Sequence, residues 1–198
     1  MFYRTDAPHG LPYNPFKAIV APRPIGWISS LAADGVANLA PYSYFNAVHD
    51  NPPMVMFSST GWKDTARNVE ATGEFTCNYV TRALSERMNV TSAGLPSGTD
   101  EFEAAGLEAA ASETVAAPRV AGVPAALECK LMRIVPLATV EGRHVDAHVV
   151  LGQVTGVFID DAHVVDGRFD VTRADPIMRM GYMDYSHLGD TFEMMRPR

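Results

Sequence analysis

The strongest constraint on this chain is its series of short apolar runs, separated by glycine, proline and asparagine, with few stretches of helical spacing. Apolar runs of about four to eight residues between turn residues indicate β-strands. Asp34-Gly35 predicts a hairpin, because these residues readily supply the positive φ that tight turns require. Many short strands without a strand–helix alternation favour a barrel over a doubly wound sheet. We therefore predict a mainly β fold with peripheral helices.

The predicted elements divide the chain into a β framework with irregular ends. Strands are expected over residues 25–31, 36–39, 54–58, 75–80, 126–135, 147–155 and 157–160. Helices are expected over residues 63–72, 81–91 and 100–105, with Thr81 as an N-cap and Gly73 as a C-cap. The first twenty residues, residues 109–117 and the tail from residue 173 have no regular pattern. We expect a single domain over residues 1–198.

Composition and charge narrow the classes of function. The 198 residues have a formal net charge of -7 and a pI of about 5.3, which argues against nucleic-acid binding. No run approaches the roughly 20 apolar residues of a membrane span, and no signal peptide begins the chain, so a cytoplasmic protein without a membrane role is expected. Cys77 and Cys129 lie in separate apolar runs and are expected to be buried, reduced thiols.

Two segments carry the residues that could form a ligand site. In the first, residues 24–30 and 37–46 combine strand-end hydroxyls with tryptophan, tyrosine and phenylalanine. A flat ring with one polar edge needs such a mixture, although an ordinary hairpin with core aromatics would also produce it. In the second, residues 58–65 bring hydroxyls and Lys63 to a predicted helix start, where free N–H groups stabilise a phosphate. Simple helix capping is the alternative for this segment.

Other chemistries have weaker support in the sequence. His144, Asp146 and His148 alternate along a predicted strand and could face a divalent ion together, but a solvated edge-strand face explains them more simply, and no metal site is predicted. No nucleophile motif is present. The tail residues Tyr182 and His187 could fold over a site, and their role stays open.

The ordered motifs resemble the flavin reductase-like, FMN-binding split-barrel family, particularly its flavoredoxin-like branch. The likeness runs from about Tyr13 to the tail. It is carried by Pro22-Arg23-Pro24-Ile25-Gly26-Trp27-Ile28-Ser29, Asn38-Leu39-Ala40-Pro41-Tyr42-Ser43-Tyr44-Phe45-Asn46, Asn51-Pro52-Pro53, Lys63-Asp64-Thr65-Ala66-Arg67-Asn68, Gly73-Glu74-Phe75, Asp100-Glu101-Phe102, Leu127-Glu128-Cys129 and Gly152-Gln153-Val154.

This resemblance implies a Greek-key split barrel and a homodimer, with FMN near the subunit interface. The residues it implies beside the flavin ring or ribityl chain are Trp27, Ser29, Asn38, Ala40, Pro41 and Tyr42. Those it implies around the phosphate are Ser43, Ser58, Ser59, Lys63, Asp64 and Thr65. No protein nucleophile is needed, because the flavin carries the hydride chemistry.

The resemblance leaves three functions open. The favoured one is an enzyme in which NADH or NADPH reduces bound FMN, which passes electrons to free flavin, a monooxygenase component or another acceptor. The second is a flavoredoxin-like electron carrier that holds FMN permanently and does not oxidise NAD(P)H itself. The third is a member of the same barrel family that binds another ligand or no flavin.

Overall fold

The computed structural model describes residues 1–197, and its centre is a seven-stranded antiparallel sheet. In chain order the strands are β1 (Gly26–Leu31), β2 (Ala37–Tyr42), β3 (Phe45–Asp50), β4 (Pro53–Thr60), β5 (Glu74–Asn78), β6 (Ala109–Ala110), β7 (Arg119–Val120), β8 (Ala125–Ala138), β9 (His144–Ile159), β10 (Val164–Val165), β11 (Arg168–Phe169), β12 (Ile177–Arg179) and β13 (Tyr185–His187). The order in the main sheet is β2-β1-β5-β8-β9-β4-β3, and the remaining strands of residues 1–197 form three two-stranded ribbons. The predicted mainly β class is confirmed.

The main sheet is rolled so that its two ends meet. Four strands separate β2 from β4 in the sheet order, yet the rings of Tyr42 and Phe57 are 4.7 Å apart between centroids. Phe57 also packs edge-on against Phe75 of β5, at 5.5 Å. These aromatic contacts fill the interior of the barrel, where Phe57 and Phe75 are fully buried.

Short helices cover the outside of this barrel. The longest helix within residues 1–197 is α2 (Asp64–Thr72); the following Gly73 adopts a left-handed φ of 74° and ends the helix, as the sequence predicted. Thr81 caps a 3₁₀ turn (Arg82–Leu84) rather than one long helix, and a second 3₁₀ turn spans Asp161–His163. The helices are α1 (Phe16–Ile19), α2 (Asp64–Thr72), α3 (Ser85–Val90), α4 (Glu101–Ala104) and α5 (Val171–Ala174).

Strand β9 corrects the prediction of two strands broken near Gly156. The strand runs without interruption, and Gly156 pairs with Glu128 of β8. A Cβ atom on Gly156 would lie 2.8 Å from the Glu128 carboxylate, so this glycine makes room for a buried side chain rather than a turn. The strand also lies between β8 and β4, so the prediction of a sheet edge for its histidines is wrong.

Three segments without a predicted helix or strand contain short elements. Strand β3 lies between the predicted strands over residues 36–39 and 54–58, where no element was predicted; it is an edge strand with five exposed residues, so it lacks the apolar alternation that reveals a strand. The tail contains α5 and the β12–β13 ribbon, and the leader contains α1. These short elements leave too few residues for a periodic pattern.

The segment predicted as a surface loop over residues 109–117 is fixed against the barrel by Glu128. This carboxylate, on a side chain only 3% exposed, accepts hydrogen bonds from the N–H groups of Glu113 and Thr114 at 2.9 and 2.6 Å, and from the Thr114 hydroxyl at 2.7 Å. Burial opposes ionisation, but these donors outweigh it and hold the pKa of Glu128 below its usual range. The segment is therefore anchored by an ionised carboxylate.

We expect Glu128→Gln to lower the free energy of unfolding by about 1–3 kcal/mol near neutral pH, because it weakens charge-assisted hydrogen bonds in a buried place. The lowered pKa makes this stabilisation present above the ordinary glutamate range and lost as pH falls through the folded-state value. Urea denaturation at a series of pH values measures it. Glu70→Gln, on the exposed side of α2, is the matched control. If the difference in unfolding free energy between wild type and Glu128→Gln stayed constant down to acidic pH, this account would be wrong.

Candidate functional site

A cavity of about 470 Å³ opens where the ends of β2 and β4 meet the start of α2. Its other wall is the loop after α3, together with Glu101 of α4. The sequence-predicted site residues that line it are Asn38, Ala40, Pro41, Tyr42, Ser43, Ser58, Lys63, Asp64 and Thr65. Residues more than 20 positions apart in the chain thus form one concave surface.

The helix start is held against β2 by a buried hydrogen bond. The Thr65 hydroxyl, on a side chain 1% exposed, donates to the side-chain oxygen of Asn38 at 2.7 Å. The Ser30 hydroxyl donates to the same oxygen at 3.4 Å, and the Asn68 amide donates to Ser30 at 3.3 Å. This network fixes both the first turn of α2 and the wall of the cavity.

The first turn of α2 has free hydrogen-bonding capacity. Lys63 stands at the N-cap in an extended conformation, and no side chain caps the helix. Gly61, with a φ of 78°, turns the chain from β4 towards this point. The early N–H groups of a helix have no partner within the helix, and its dipole is positive there. This corner can therefore bind an anion next to the Lys63 ammonium.

Asp64 and Arg67 form an ion pair at this corner. Arg67 Nη1 lies 2.5 Å from Asp64 Oδ1, and the Ser97 hydroxyl donates to the same carboxylate oxygen at 3.0 Å. Asp64 is thus paired with Arg67, and the pair ties α2 to the loop that forms the far wall. Lys63 is the cation at this corner without such a carboxylate partner among the described residues.

The hydroxyl of Tyr42 is a buried polar group with no hydrogen-bond partner in the described part of the chain. Tyr42 is 7% exposed and lines the cavity. Burial raises its pKa, and the nearby hydroxyls of Thr65 and Ser59 act in the opposite direction. An unpaired buried hydroxyl is costly, so a polar ligand in the cavity would satisfy a group that the protein leaves open.

Three predicted site residues do not line the cavity. Trp27 is fully buried in the core, and its indole N–H donates to Thr91 at 2.9 Å. The hydroxyl of Ser29 donates to the carbonyl of Pro118 on the other side of the sheet. Ser59, also fully buried, donates to the carbonyl of Gly61 at 3.1 Å. Trp27 thus supports the cavity wall at Thr91 from behind, whereas the partner of Ser29 is not part of the cavity lining.

Sequence reasoning missed part of the cavity wall. Tyr44, Thr60 and Trp62 lie within the two predicted segments but were not among the predicted site residues, and Trp62 packs against His148 with ring centroids 4.8 Å apart. Glu101 had a sequence signal in the Asp100-Glu101-Phe102 motif, but nothing marked its proximity to β2. The loop residues 91–95 had no signal, because their position beside the cavity depends on the fold.

The histidines of β9 and of the tail lie outside the cavity wall. His144 and His148 have ring centroids 6.3 Å apart, and no group of three metal-ligating side chains occurs within residues 1–197. His187 lies 2.7 Å from Arg82 and 3.0 Å from Asp175, so the tail histidine orders the C-terminal ribbon. In the same part of the chain, no helix is long and apolar enough to cross a membrane.

Comparison with known proteins identifies the family. Residues 20–171 match the flavin reductase like domain. The chain belongs to the flavin reductase-like family. Two relatives described as uncharacterized proteins are similar over most of their length: one from Aquifex aeolicus is 37% identical, covering 85% of this chain and 86% of the relative, and one from Deinococcus radiodurans is 36% identical, covering 98% and 88%.

Solved structures of flavin reductase-like proteins share this fold. Nitrilotriacetate monooxygenase component B from Bacillus cereus has a TM-score of 0.84 at 31% identity, covering 95% of this chain and all of its own. The 2-nitrobenzoate 2-nitroreductase of Pseudomonas fluorescens has a TM-score of 0.86 at 27% identity, covering 100% and 96%. Flavoredoxin from Desulfovibrio vulgaris, at 20% identity and 0.78, shows the fold alone. The split-barrel prediction is confirmed, and the protein is a flavin-related oxidoreductase.

Proposed function

We propose that this protein binds FMN in the cavity and transfers hydride from NADH or NADPH to it, passing the electrons to free flavin, a monooxygenase component or another acceptor. The observation that carries the proposal is the uncapped start of α2 beside Lys63, in the same cavity as the unpaired Tyr42 hydroxyl. An anion corner and an open buried donor are what a flavin phosphate and its polar chain require.

The two parts of the cavity suit the two parts of FMN. Pro41, Tyr44 and Trp62 supply apolar and aromatic surface for a flat ring, whereas Lys63 and the N–H groups of the helix start meet a phosphate. The Tyr42 hydroxyl, which has no partner within residues 1–197, supports this assignment because a polar group of the ligand would satisfy it. When bound, FMN supplies the hydride chemistry, and the protein binds, orients and excludes water.

The test is anaerobic reduction of FMN-loaded protein. We expect NADH or NADPH to bleach the flavin absorbance at least about tenfold faster than it bleaches free FMN, because the site orients donor and ring. Free FMN with boiled protein is the control. Protein that does not bind FMN would contradict the proposal. Protein that binds FMN, is bleached by dithionite and is unaffected by both nucleotides would instead support the electron-carrier alternative.

Lys63→Ala should weaken FMN binding by about 1.5–3 kcal/mol, or roughly tenfold or more in Kd, because one charged hydrogen bond to the phosphate is lost. Titration followed by flavin fluorescence measures it. Riboflavin lacks the phosphate, so its affinity should not change in the variant. Lys130→Ala, on the exposed side of β8, is the control for loss of a lysine. If Lys63→Ala weakened the binding of riboflavin and FMN equally, the placement of the phosphate at this corner would be wrong.

We also propose that the protein is a homodimer. A second cavity, of about 620 Å³, is lined almost entirely by apolar side chains and includes Leu188 at its rim. The tail that follows Leu188 leaves Phe192, Met194 and Met195 exposed by 83, 79 and 80%. Apolar surface of this extent is typical of protein interfaces, and a second copy would cover both groove and tail.

Light scattering coupled to size-exclusion chromatography should give the mass of a dimer for the full chain. The triple variant Phe192→Ala, Met194→Ala, Met195→Ala should raise the dimer dissociation constant by about tenfold or more, because about three apolar side chains lose burial. Phe2→Ala, at an equally exposed position of the leader, should not. A monomeric mass for the full chain would refute the proposal.

A further inference from the structure

Glu101 places a buried carboxyl group in the wall of the cavity. Its side chain is 8% exposed, and its Oε2 accepts the N–H of Leu39 at 3.1 Å. It comes from α4, whose Asp100 caps the helix with hydrogen bonds to the N–H groups of Phe102 and Glu103. Asp100 thereby aims the helix at β2 and fixes where the next residue meets the cavity.

The groups around Glu101 make its charge sensitive to anything that enters the cavity. Burial raises its pKa, the Leu39 N–H and the Asn38 side chain oppose that rise, and the negative charge of Asp64 adds to it. Asp64 stands at the start of α2, where the proposed phosphate would bind. A charge at that helix start therefore already acts on Glu101, and a phosphate there would act in the same direction.

No cation neutralises Glu101 directly among residues 1–197. The titratable groups near Glu101 lie on α2, β2 and α3. On α2, Lys63 stands at the helix start and Arg67 is paired with Asp64. On β2, burial raises the pKa of Tyr42, so its hydroxyl stays uncharged. On α3, Arg87 donates to the carbonyl of Gly106.

We propose that Glu101 takes up one proton from solvent when FMN enters the cavity, so that its carboxylate becomes a carboxylic acid and the ligand does not face a second buried negative charge. The step moves a proton only; no bond to the ligand forms and no electrons are transferred. It rests on the proposed FMN site, and it makes Glu101 a positioning and charge-matching residue of that site.

The linkage has a definite sign. FMN raises the proton affinity of Glu101, so proton uptake occurs at pH values between the free and the bound titration of this group. Within that window FMN affinity falls as pH rises. Across the whole window the loss is about tenfold for each unit by which bound FMN raises the pKa of Glu101. Below the window Glu101 is already protonated, and above it the carboxylate persists in the complex, so affinity is independent of this group in both regions.

Isothermal titration calorimetry with FMN, repeated across a series of pH values from about 4 to 8 and each time in two buffers of different ionisation enthalpy, counts the protons directly and covers the window, about where a carboxyl group with a raised pKa titrates. We expect uptake by wild type to exceed that by Glu101→Gln by up to one proton, with a flatter dependence of affinity on pH in the variant. Gln can still accept the Leu39 N–H, so the local structure is preserved. Glu103→Gln, exposed on the same helix, should match wild type. Titration of the phosphate itself is common to all three proteins and cancels.

The same proton count for wild type and Glu101→Gln would overturn this inference while leaving the FMN site intact. Failure of wild type to bind FMN would instead defeat the proposed function. Should Glu101→Gln not fold, infrared difference spectra of ¹³C-labelled wild type with and without FMN provide the second measurement. A gain in the protein's protonated-carboxyl band supports proton uptake, and an unchanged band refutes it.

Discussion

The hydrogen bond from the Thr65 hydroxyl to the side chain of Asn38 determines how the rest of the site is arranged. It is 2.7 Å long and buried, and it joins the first turn of α2 to the inner side of β2. A helix start and a strand are brought together by one pair of polar side chains in a dry environment, where a broken hydrogen bond is costly. The anion corner keeps its place because this contact has no solvated alternative.

Closure of the barrel makes that contact possible. Tyr42 and Phe57 meet across the gap between the ends of the sheet, and their packing sets the distance between β2 and β4. The α2 helix follows β4 directly, so the same aromatic contact decides where the helix begins. Tyr42 thus has two roles: its ring fills the core, and its hydroxyl is left open towards the cavity.

The charged groups of the cavity differ in whether an ion-pair partner balances them. Asp64 is paired with Arg67, Lys63 has no such partner within residues 1–197, and Glu101 is buried with one backbone donor and one amide beside it. The site therefore combines one available cation with one carboxyl group whose ionisation depends on its surroundings. A protein that binds an anionic cofactor and then handles electrons benefits from groups whose charge can respond.

The sequence by itself determined the strand-rich class, the helix that ends at Gly73, and the two segments that build the cavity. Those features depend on apolar spacing and turn residues, which can be read from residues close together in the chain. It could not separate the strand residue Asn38, which lines the cavity, from Trp27 and Ser29, which do not, because strand residues alternate between faces and only the closed sheet assigns each face. The motif that contains Glu101 was visible in the sequence, but its place beside β2 and that of the loop after α3 were decided by tertiary packing, since contacts between distant segments leave no periodic mark in the chain.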